Sequence, residues 1–470
     1  MKYRKGIIMG LFDNLFSRKE KVETFPEFVL GVEDIFKLKN STDLVVVGRV
    51  KGTVKPGAAV YIHTWDDEPG AVTLTTVKRI EIKGQPAGEA TDTPVALMLE
   101  NVSNAGIKIG TVLATRNASE ADIHFAYINA IGNSYVSSKA LSLSDEELDN
   151  MSVTDMAEAW RLYLFANRQM QGNARDDEQV QRQKMDRVGK KMIEKILALK
   201  QINIVFSTET GEPFLFSQTV DNGDGTYKCM YPEVMMITTP YVSSYKEAYS
   251  KNGFEIITIN NGEDGKGIYN FLGSAFYLDG GCALRVNGKE VGIVAEMIVP
   301  PPSYDGVPKI NIPVTNPDLM RWILLLGQLG EAKTDDEKLI EGLYYGYFQR
   351  ELPKARFLIP MKYDGDIPVP DENGKTILQK NTTFKLATIA GKEGRDARVM
   401  YTDWRMLRKR YGEDWSALVQ SAGDEIKACD CAINLTDHSA AGIYVNKSAY
   451  EEAEKVANIT SDRANFQHNY

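Results

Sequence analysis

Short runs in which apolar and polar residues alternate dominate residues 23–117. The runs fall near residues 28–32, 45–60, 72–77, 95–99 and 107–112. Turn residues separate them, notably Gly52, Gly57, Pro86–Gly88 and Asn104–Gly106. Period-two alternation with regular turns is typical of antiparallel strands, and glycine enters positive φ at little steric cost. This pattern predicts a closed antiparallel β-barrel over residues 23–117.

The pattern changes to a helical period after residue 117. Ser144–Glu147 is a capping-box sequence at the start of a helix. Apolar residues then recur at helical spacing from about Asp177 to Lys200. Strand-like runs return over residues 201–299, with a tight hairpin at Asn222–Gly225 and a short helix, Ser243–Asn252, closed by Gly253. A proline-rich crossing follows at residues 300–317.

The last third of the chain follows the same plan as the middle third. Thr334–Glu337 is a second capping box, and strands and a short helix from about Arg405 to Tyr411 follow it. The stretches that start at Met236 and Val399 share the order strand, threonine, aromatic residue, short helix, glycine. We predict a tandem duplication, with α+β domains at residues 118–330 and 331–457 and a polar tail at residues 458–470.

The first 22 residues form a separate segment with two interpretations. Leu11, Phe12, Leu15 and Phe16 recur at helical spacing, and Arg18, Lys19 and Lys21 follow them. Such a segment is either a plain N-terminal tail or a short amphipathic helix, in which case residues 9–21 contact a membrane surface or a partner. Met9 is an alternative start of translation.

Four stretches of the barrel region, taken in order, resemble the second domain of elongation factor Tu and related translational GTPases. They are FVLGVEDIFKL (28–38), VVVGRVKGTVKPGAAVYI (45–62), PVALMLENV (94–102) and KIGTVLA (108–114). The resemblance covers about a fifth of the chain. It implies a β-barrel of the kind that packs beside a GTPase domain in that family and often touches RNA.

No GTPase signature accompanies this barrel. The sequence Gly374-Lys375-Thr376 lacks the first glycine of a phosphate-binding loop, because Val369 stands at that position. Residues 23–117 hold 10 lysines and arginines against 12 acidic residues, so the barrel is not basic overall. RNA or ribosome binding through the barrel and a role as a docking or spacer module both remain open.

The last third resembles the SseB family, the bacterial enhanced-serine-sensitivity proteins. The resemblance rests on Glu337–Phe348, Phe357–Pro360, Tyr401–Trp404 and Ala432–Asn434. The family element that corresponds to Tyr401–Trp404 reads close to Phe-Thr-Ser, so Tyr401 and Asp403 depart from it. The middle third resembles the family more weakly. The resemblance implies α+β domains with mixed sheets and no established enzyme activity.

Composition narrows the class of protein. The chain has 470 residues, 43% hydrophobic residues, 25% charged residues and a net charge of −9, which is ordinary for a multidomain globular protein and argues against general nucleic-acid binding. Its longest apolar runs, such as Trp322–Leu326, are far shorter than the ~20 residues of a membrane span. The spacing of its four cysteines fits no metal or redox site, and reduced thiols in a bacterial cytoplasm are expected.

One basic and aromatic stretch is the best candidate binding site. Residues 380–411 contain nine lysines and arginines against three acidic residues. Trp404, Arg405, Arg408 and Lys409 fall in or beside the predicted short helix, and such a surface can grip RNA or an acidic partner. A solvated helix face is the simpler interpretation. Thr402, like Thr239 in the middle third, precedes a short helix, either as part of an N-cap or as part of an anion or peptide-terminus site.

No catalytic constellation, metal-ligand spacing or cofactor motif is apparent, and no pair among the four histidines has ligand spacing. We therefore expect a non-enzymatic partner-binding or adaptor protein of the bacterial cytoplasm, associated with a protein partner or with translation components. Two alternatives stay open. One is a small-ligand or anion-binding regulator that uses the SseB-like domains, and the other is an enzyme whose dispersed catalytic site is not visible in the sequence.

Overall fold

A computed structural model describes residues 27–65, 73–102, 106–137, 143–170, 178–364, 383–390 and 396–467. The predicted N-terminal tail or helix, Met9 and the Gly374-Lys375-Thr376 sequence lie outside these residues. Among the described helices, none combines the length and the apolar character that a membrane crossing requires.

The N-terminal strands close into the predicted antiparallel barrel. The strands are β1 (Phe28–Gly31), β2 (Asp34–Lys37), β3 (Leu44–Val54), β4 (Ala59–His63), β5 (Thr73–Ile82), β6 (Gln85–Ala87), β7 (Ala90–Thr91), β8 (Pro94–Leu99) and β9 (Val112–Ala114). Six of them run in the order β1-β9-β4-β5-β8-β3, and pairing between β3 and β1 closes the barrel. Gly52 and Gly57 have φ of 89° and 88°, which confirms the two predicted bends.

The alternation of the sequence sets which side chains fill the barrel. On β3, Leu44, Val46, Val50 and Val54 are buried, whereas Arg49 and Lys51 between them are exposed. The interior side chains form a core of their own. Val29, Val112 and Ala114 point out of the barrel and belong to a second, larger core that they share with helices and with both sheets described below.

Four of the described helices follow the barrel directly, and the first of them packs on β1 and β9. They are α1 (Glu120–Ile131), which continues as a π-helix (Gly132–Ser137), α2 (Asp145–Asn150), α3 (Val153–Met170) and α4 (Glu178–Ala198). Ser144 accepts a hydrogen bond from the Glu147 amide, and the Glu147 carboxylate accepts one from the Ser144 amide. The predicted capping box at the start of α2 is thus confirmed.

The first sheet is mixed. Its elements are β10 (Gln201–Ser207), β11 (Leu215–Phe216), the hairpin β12 (Thr219–Asp221) and β13 (Tyr227–Cys229), β14 (Glu233–Ile237), α5 (Val242–Ser250), β15 (Phe254–Asn260), α6 (Gly267–Tyr277), β16 (Ala283–Val286), β17 (Lys289–Val294) and α7 (Ala295–Ile298). The order is β15-β10-β14-β16-β17, with β14 and β16 parallel.

The second sheet comes from the last third of the chain. Its elements are α8 (Pro317–Leu329), α9 (Asp335–Glu351), β18 (Arg356–Asp364), β19 (Thr383–Leu386), β20 (Thr388–Ala390), β21 (Asp396–Met400), α10 (Trp404–Arg408), β22 (Ser416–Ser421), α11 (Ala422–Ile426), β23 (Cys431–Ile433), β24 (Ile443–Val445) and α12 (Lys447–Gln467). Helix α12 continues through residues 458–467, where the sequence predicts a polar tail.

The two sheets share one strand order. A bridge between Leu358 and Tyr401 joins β18 to β21, so the second sheet runs β22-β18-β21-β23-β24. When the five strands of each sheet are numbered along the chain, both sheets have the spatial order third, first, second, fourth, fifth. The second and fourth strands pair in parallel in both sheets, as β14–β16 and β21–β23. The fourth and fifth strands are antiparallel, as β16–β17 and β23–β24.

Helix α8 lies between the two sheets. Residues Leu319–Leu325 are all buried, including Arg321. A helix that is apolar all round belongs in the interior. The Asn316 amide, one residue before α8, donates hydrogen bonds to the carbonyls of Arg356 and Thr402 at 2.7 Å each. The helix therefore belongs to a continuous core that includes both sheets.

Candidate functional site

Thr402 is buried two residues before α10, beside Asn434, which follows β23. Its backbone amide donates a hydrogen bond to Asn434 Oδ1 at 2.9 Å, and its hydroxyl lies 3.1 Å from the same oxygen. Asp403 is the N-cap of α10, since its carboxylate accepts a hydrogen bond from the Met406 amide at 3.0 Å. The N-cap interpretation of this neighbourhood is confirmed by Asp403 rather than by the Thr402 hydroxyl.

The first sheet contains the same hydrogen bond from a threonine amide to an asparagine side chain, one residue before the predicted Thr239. The Thr238 amide donates to Asn287 Oδ1 at 2.9 Å. Asn287 and Asn434 both have positive φ, at 50° and 53°. Thr238, not Thr239, is therefore the structural counterpart of Thr402.

Arg405 and Lys409 point into the seam between the two sheets. The Arg405 guanidinium pairs with Glu212, with 2.6 Å between Nη1 and Oε2, and with Asp279. Lys409 pairs with the other oxygen of Glu212. The Glu212 and Asp279 side chains are almost fully buried. These two predicted site residues thus bind acids that lie far away in the sequence.

Burial and neighbouring charges shift the pKa values of the ionisable groups in this seam in opposite directions. Burial raises the pKa of Asp279, and Arg405 only partly offsets that rise. Burial also lowers the pKa of Arg405, but Asp279 and Glu212 raise it further, so the net change is upward. The guanidinium is therefore held as a cation against buried carboxyl groups.

Arg408 makes different contacts, although its side chain is 27% exposed, close to the 29% of Arg405 and the 33% of Lys409. Its Nη1 donates to the carbonyl of Trp415 at 3.0 Å and also to that of Gly412. Its guanidinium carbon lies 4.8 Å from the centre of the Trp404 ring, which is a cation–π distance. Trp404 remains 38% exposed. Trp404 and Arg408 thus contact each other, whereas Arg405 and Lys409 pair with Glu212.

Neighbouring side chains extend this surface. Lys362 lies 5.9 Å from the Trp415 ring and pairs with Asp414 at 2.7 Å. Arg410 is exposed beside them. We call Trp404, Arg408, Arg410, Trp415 and Lys362 the α10 surface. It combines aromatic and basic side chains with two exposed acids, Glu413 and Asp414, that pair with Arg408 and Lys362. Only Trp404 and Arg408 come from the predicted set.

A second cluster, which the sequence does not single out, joins the barrel to the helices. Asp155 accepts hydrogen bonds from Lys108 Nζ at 2.7 Å, the Tyr127 hydroxyl at 3.0 Å and the Ser152 amide at 2.9 Å. Trp65 stacks on Tyr127 with ring centres 4.2 Å apart. Lys108 and Trp65 belong to the barrel region. One buried carboxylate therefore ties the barrel to α1 and α3.

The same cluster continues toward the first sheet. Glu158 on α3 is buried between Arg161 and Lys289. His124 Nε2 lies 3.0 Å from the Tyr241 hydroxyl. Burial lowers the pKa of His124 to about 4, and the charges of Lys289 and Arg161 add to the effect. The spacing of these residues in the sequence gives no signal, because the fold brings together four separate segments.

A groove opens between α8 and α9. Its volume is about 530 Å³, and the residues that line it include Ile323, Leu326, Lys338, Gly342 and Ile443. In the described part of the chain, no group of three or more histidine, cysteine or acidic side chains is placed to hold a metal ion. The four cysteines are free thiols, and burial raises the pKa of Cys229 to about 11.

Comparison with known proteins gives structural matches alone. No family model matches the chain, and no curated protein matches it. Two solved structures of translation elongation factor SelB from Methanococcus maripaludis, the apo form and the complex with the GTP analogue GppNHp, are similar in structure at 20% sequence identity and a TM-score of 0.18. Each match covers 24% of this chain and 23% of the SelB chain, so this chain spans about a quarter of the length of that protein.

Proposed function

We propose that this chain is a non-enzymatic partner-binding protein of the bacterial cytoplasm that recognises an anionic partner with its α10 surface. The carrying observation is Trp404, which is exposed while Arg408 stacks on its ring. Tryptophan and arginine are the residue types most enriched at the energetic centres of interfaces. Backbone carbonyls of Gly412 and Trp415 hold the Arg408 guanidinium against this ring, and Glu413 lies 3.4 Å from its Nε. The exposed indole and the neighbouring exposed Arg410 are then the groups that a partner can contact.

The seam beneath this surface supports the proposal. Arg405 and Lys409 anchor α10 to buried acids of the first sheet, so the backbone that carries Trp404 is held from below. A pre-ordered aromatic side chain loses little conformational entropy on binding. The arrangement thus uses two basic residues of the helix for positioning and leaves the other face for contact.

The family-level interpretation is part of the same proposal. We propose that the two sheets are a tandem duplication of an SseB-like domain, supported by their common strand order and by the matching Thr238–Asn287 and Thr402–Asn434 hydrogen bonds. We further propose that the barrel directs the protein to translation components. The barrel strand order and the sequence resemblance support this assignment.

Affinity capture from a bacterial lysate at low and at moderate salt tests the proposal. Bound protein and bound RNA are both measured for wild type, Trp404→Ala and the control Phe125→Ala, which removes an exposed aromatic ring on α1. We expect one discrete partner that Trp404→Ala loses and Phe125→Ala retains. A partner that Trp404→Ala retains at wild-type level contradicts the role of the α10 surface.

The salt dependence distinguishes the kinds of partner. Ribosomal subunits or tRNA, released steeply as salt rises, would place the protein among translation components, since phosphate contacts weaken by counterion release. A protein partner that stays bound at moderate salt would leave the barrel as a docking module.

A second candidate function, small-ligand binding by a regulatory protein, is favoured by the groove between α8 and α9. Its volume of about 530 Å³ lies within the ~300–1,000 Å³ range of ligand pockets. A thermal-shift screen of metabolites tests this role, and a screen in which no compound raises the melting temperature would contradict it.

A further inference from the structure

The groove between α8 and α9 has an apolar floor. Ile323 and Leu326 of α8 form one side, and Ile443 of β24 lies at its end. Ile323 is almost fully buried beneath the groove. Such a floor favours a ligand with a branched or aromatic hydrocarbon body, because burying apolar surface is the main source of affinity for small molecules.

Gly342 keeps this space open. It lies in the interior of α9, where glycine costs about 1 kcal/mol relative to alanine. A methyl group added at this position would meet no atom within 4 Å, and its φ is not in the positive range. Neither a close approach nor a special backbone conformation requires glycine here, and a larger side chain at this position would border and narrow the groove.

The charged lining residues set the ligand's polar end. Lys338 stands one turn before Gly342 and borders the groove; its ammonium lies 3.9 Å from an Asp335 carboxylate oxygen, and both side chains are well exposed. Glu341 also borders the groove and would repel a second negative charge on a ligand. We propose that the groove binds a small monocarboxylate with an apolar body, its carboxylate on Lys338 and its hydrocarbon part on Ile323, Leu326 and Ile443.

This proposal rests on the second candidate function and names its ligand class. It does not depend on the α10 surface, since the groove is lined by α8, α9 and the region around β24. Loss of partner capture in Trp404→Ala and loss of small-molecule binding in a groove variant are separate results, so the failure of one role is distinguishable from the failure of the other.

Saturation-transfer NMR and calorimetric titration of the full chain with 4-methylpentanoate and its neutral amide, 4-methylpentanamide, test the proposal. We expect the carboxylate to bind wild type at least about tenfold more tightly than the amide. Gly342→Leu should abolish binding of both probes because the new side chain fills the groove. Lys338→Met should bind the two probes equally.

Two controls keep these outcomes decisive. Gly346→Ala changes a second open glycine of α9 that is outside the groove lining, and it should bind like wild type. Gly342→Leu should melt no lower than wild type, because leucine is the better helix former; if it does melt lower, Gly342→Ala replaces it as the graded variant. Absence of binding to wild type, equal binding of acid and amide, or undiminished binding by Gly342→Leu overturns the proposal.

Discussion

Arg405 is the residue on which the seam between the two sheets depends most. Its guanidinium pairs with both Glu212 and Asp279, which are almost fully inaccessible to solvent. Removing one partner of a buried ion pair leaves an uncompensated charge and typically costs about 3–5 kcal/mol. By contrast, the exposed pair of Lys251 and Glu247 on α5 should contribute less than about 1 kcal/mol.

We therefore predict that Arg405→Met lowers the free energy of unfolding by about 3 kcal/mol. Arg410→Met is the matched control, because Arg410 is exposed on the same segment, and it should change stability by less than about 0.5 kcal/mol. Urea unfolding followed by fluorescence measures both. Equal stability of the two variants would show that the Arg405 contacts do not hold the seam together.

His124 makes stability depend on pH in a defined window. Its pKa is lowered from 6.5 to about 4 in the folded protein by burial and by the charges of Lys289 and Arg161. The unfolded chain thus takes up a proton between pH 6.5 and 4 that the folded protein does not, so the free energy of unfolding falls as the pH falls through this window.

We predict that His124 accounts for a loss of up to about 2 kcal/mol between pH 6.5 and 4, the partial exposure of the ring reducing the full effect. His124→Gln keeps a hydrogen-bonding group beside Tyr241 but does not titrate, so its stability should fall less over the same range. Replacement of the exposed His438 by glutamine is the control. Parallel pH profiles for wild type and His124→Gln would contradict the prediction.

At the scale of single elements, local sequence determines much of the fold. The barrel strands, the capping boxes at Ser144 and Thr334 and the helix that ends before Gly253 all follow from nearby residues, and the structure confirms them. The partners of α10 do not follow from nearby residues. The run around Arg405 reads as a solvated basic face because Glu212 and Asp279 are 193 and 126 residues away. Contact across such separations depends on tertiary packing, which local periodicity does not encode.

The asparagine that follows β23 is the element-scale feature that sequence pattern misses. Asn434 accepts the Thr402 amide, and its own amide donates to the Met400 carbonyl at 2.8 Å. Its positive φ of 53° suits asparagine or glycine better than other residues. The position thus combines a backbone requirement with a side-chain requirement.

Two substitutions separate these requirements. Asn434→Gly keeps the backbone conformation but loses the acceptor for the buried Thr402 amide, which should cost about 1–3 kcal/mol. Asn434→Ala loses the acceptor and adds backbone strain, about 1 kcal/mol more. Denaturant unfolding of both variants measures the difference. If Asn434→Ala is as stable as Asn434→Gly, the positive φ at this position adds no measurable backbone strain.

At the scale of the whole molecule, the barrel interior is one core, the two sheets share a larger one with the helices, and a small third core lies between the first sheet and Tyr249 of α5. Asp155 ties the two cores together through Lys108 and Tyr127. The Lys108 and Asp155 side chains are both largely withdrawn from solvent. Unfolding of the barrel on its own would therefore leave Asp155 without its cation, and this cost couples the barrel to the rest.

We predict that Asp155→Asn uncouples the two cores. Asparagine has nearly the shape of aspartate but does not neutralise Lys108, so the junction should weaken by about 2–4 kcal/mol. Scanning calorimetry should show the barrel melting at a lower temperature, in a transition separate from that of the shared core. The control is Asp414→Asn, which breaks the exposed pair with Lys362 and should leave the profile unchanged. A single unshifted transition in Asp155→Asn would mean that apolar contacts of Val29, Val112 and Ala114 alone hold the barrel in place.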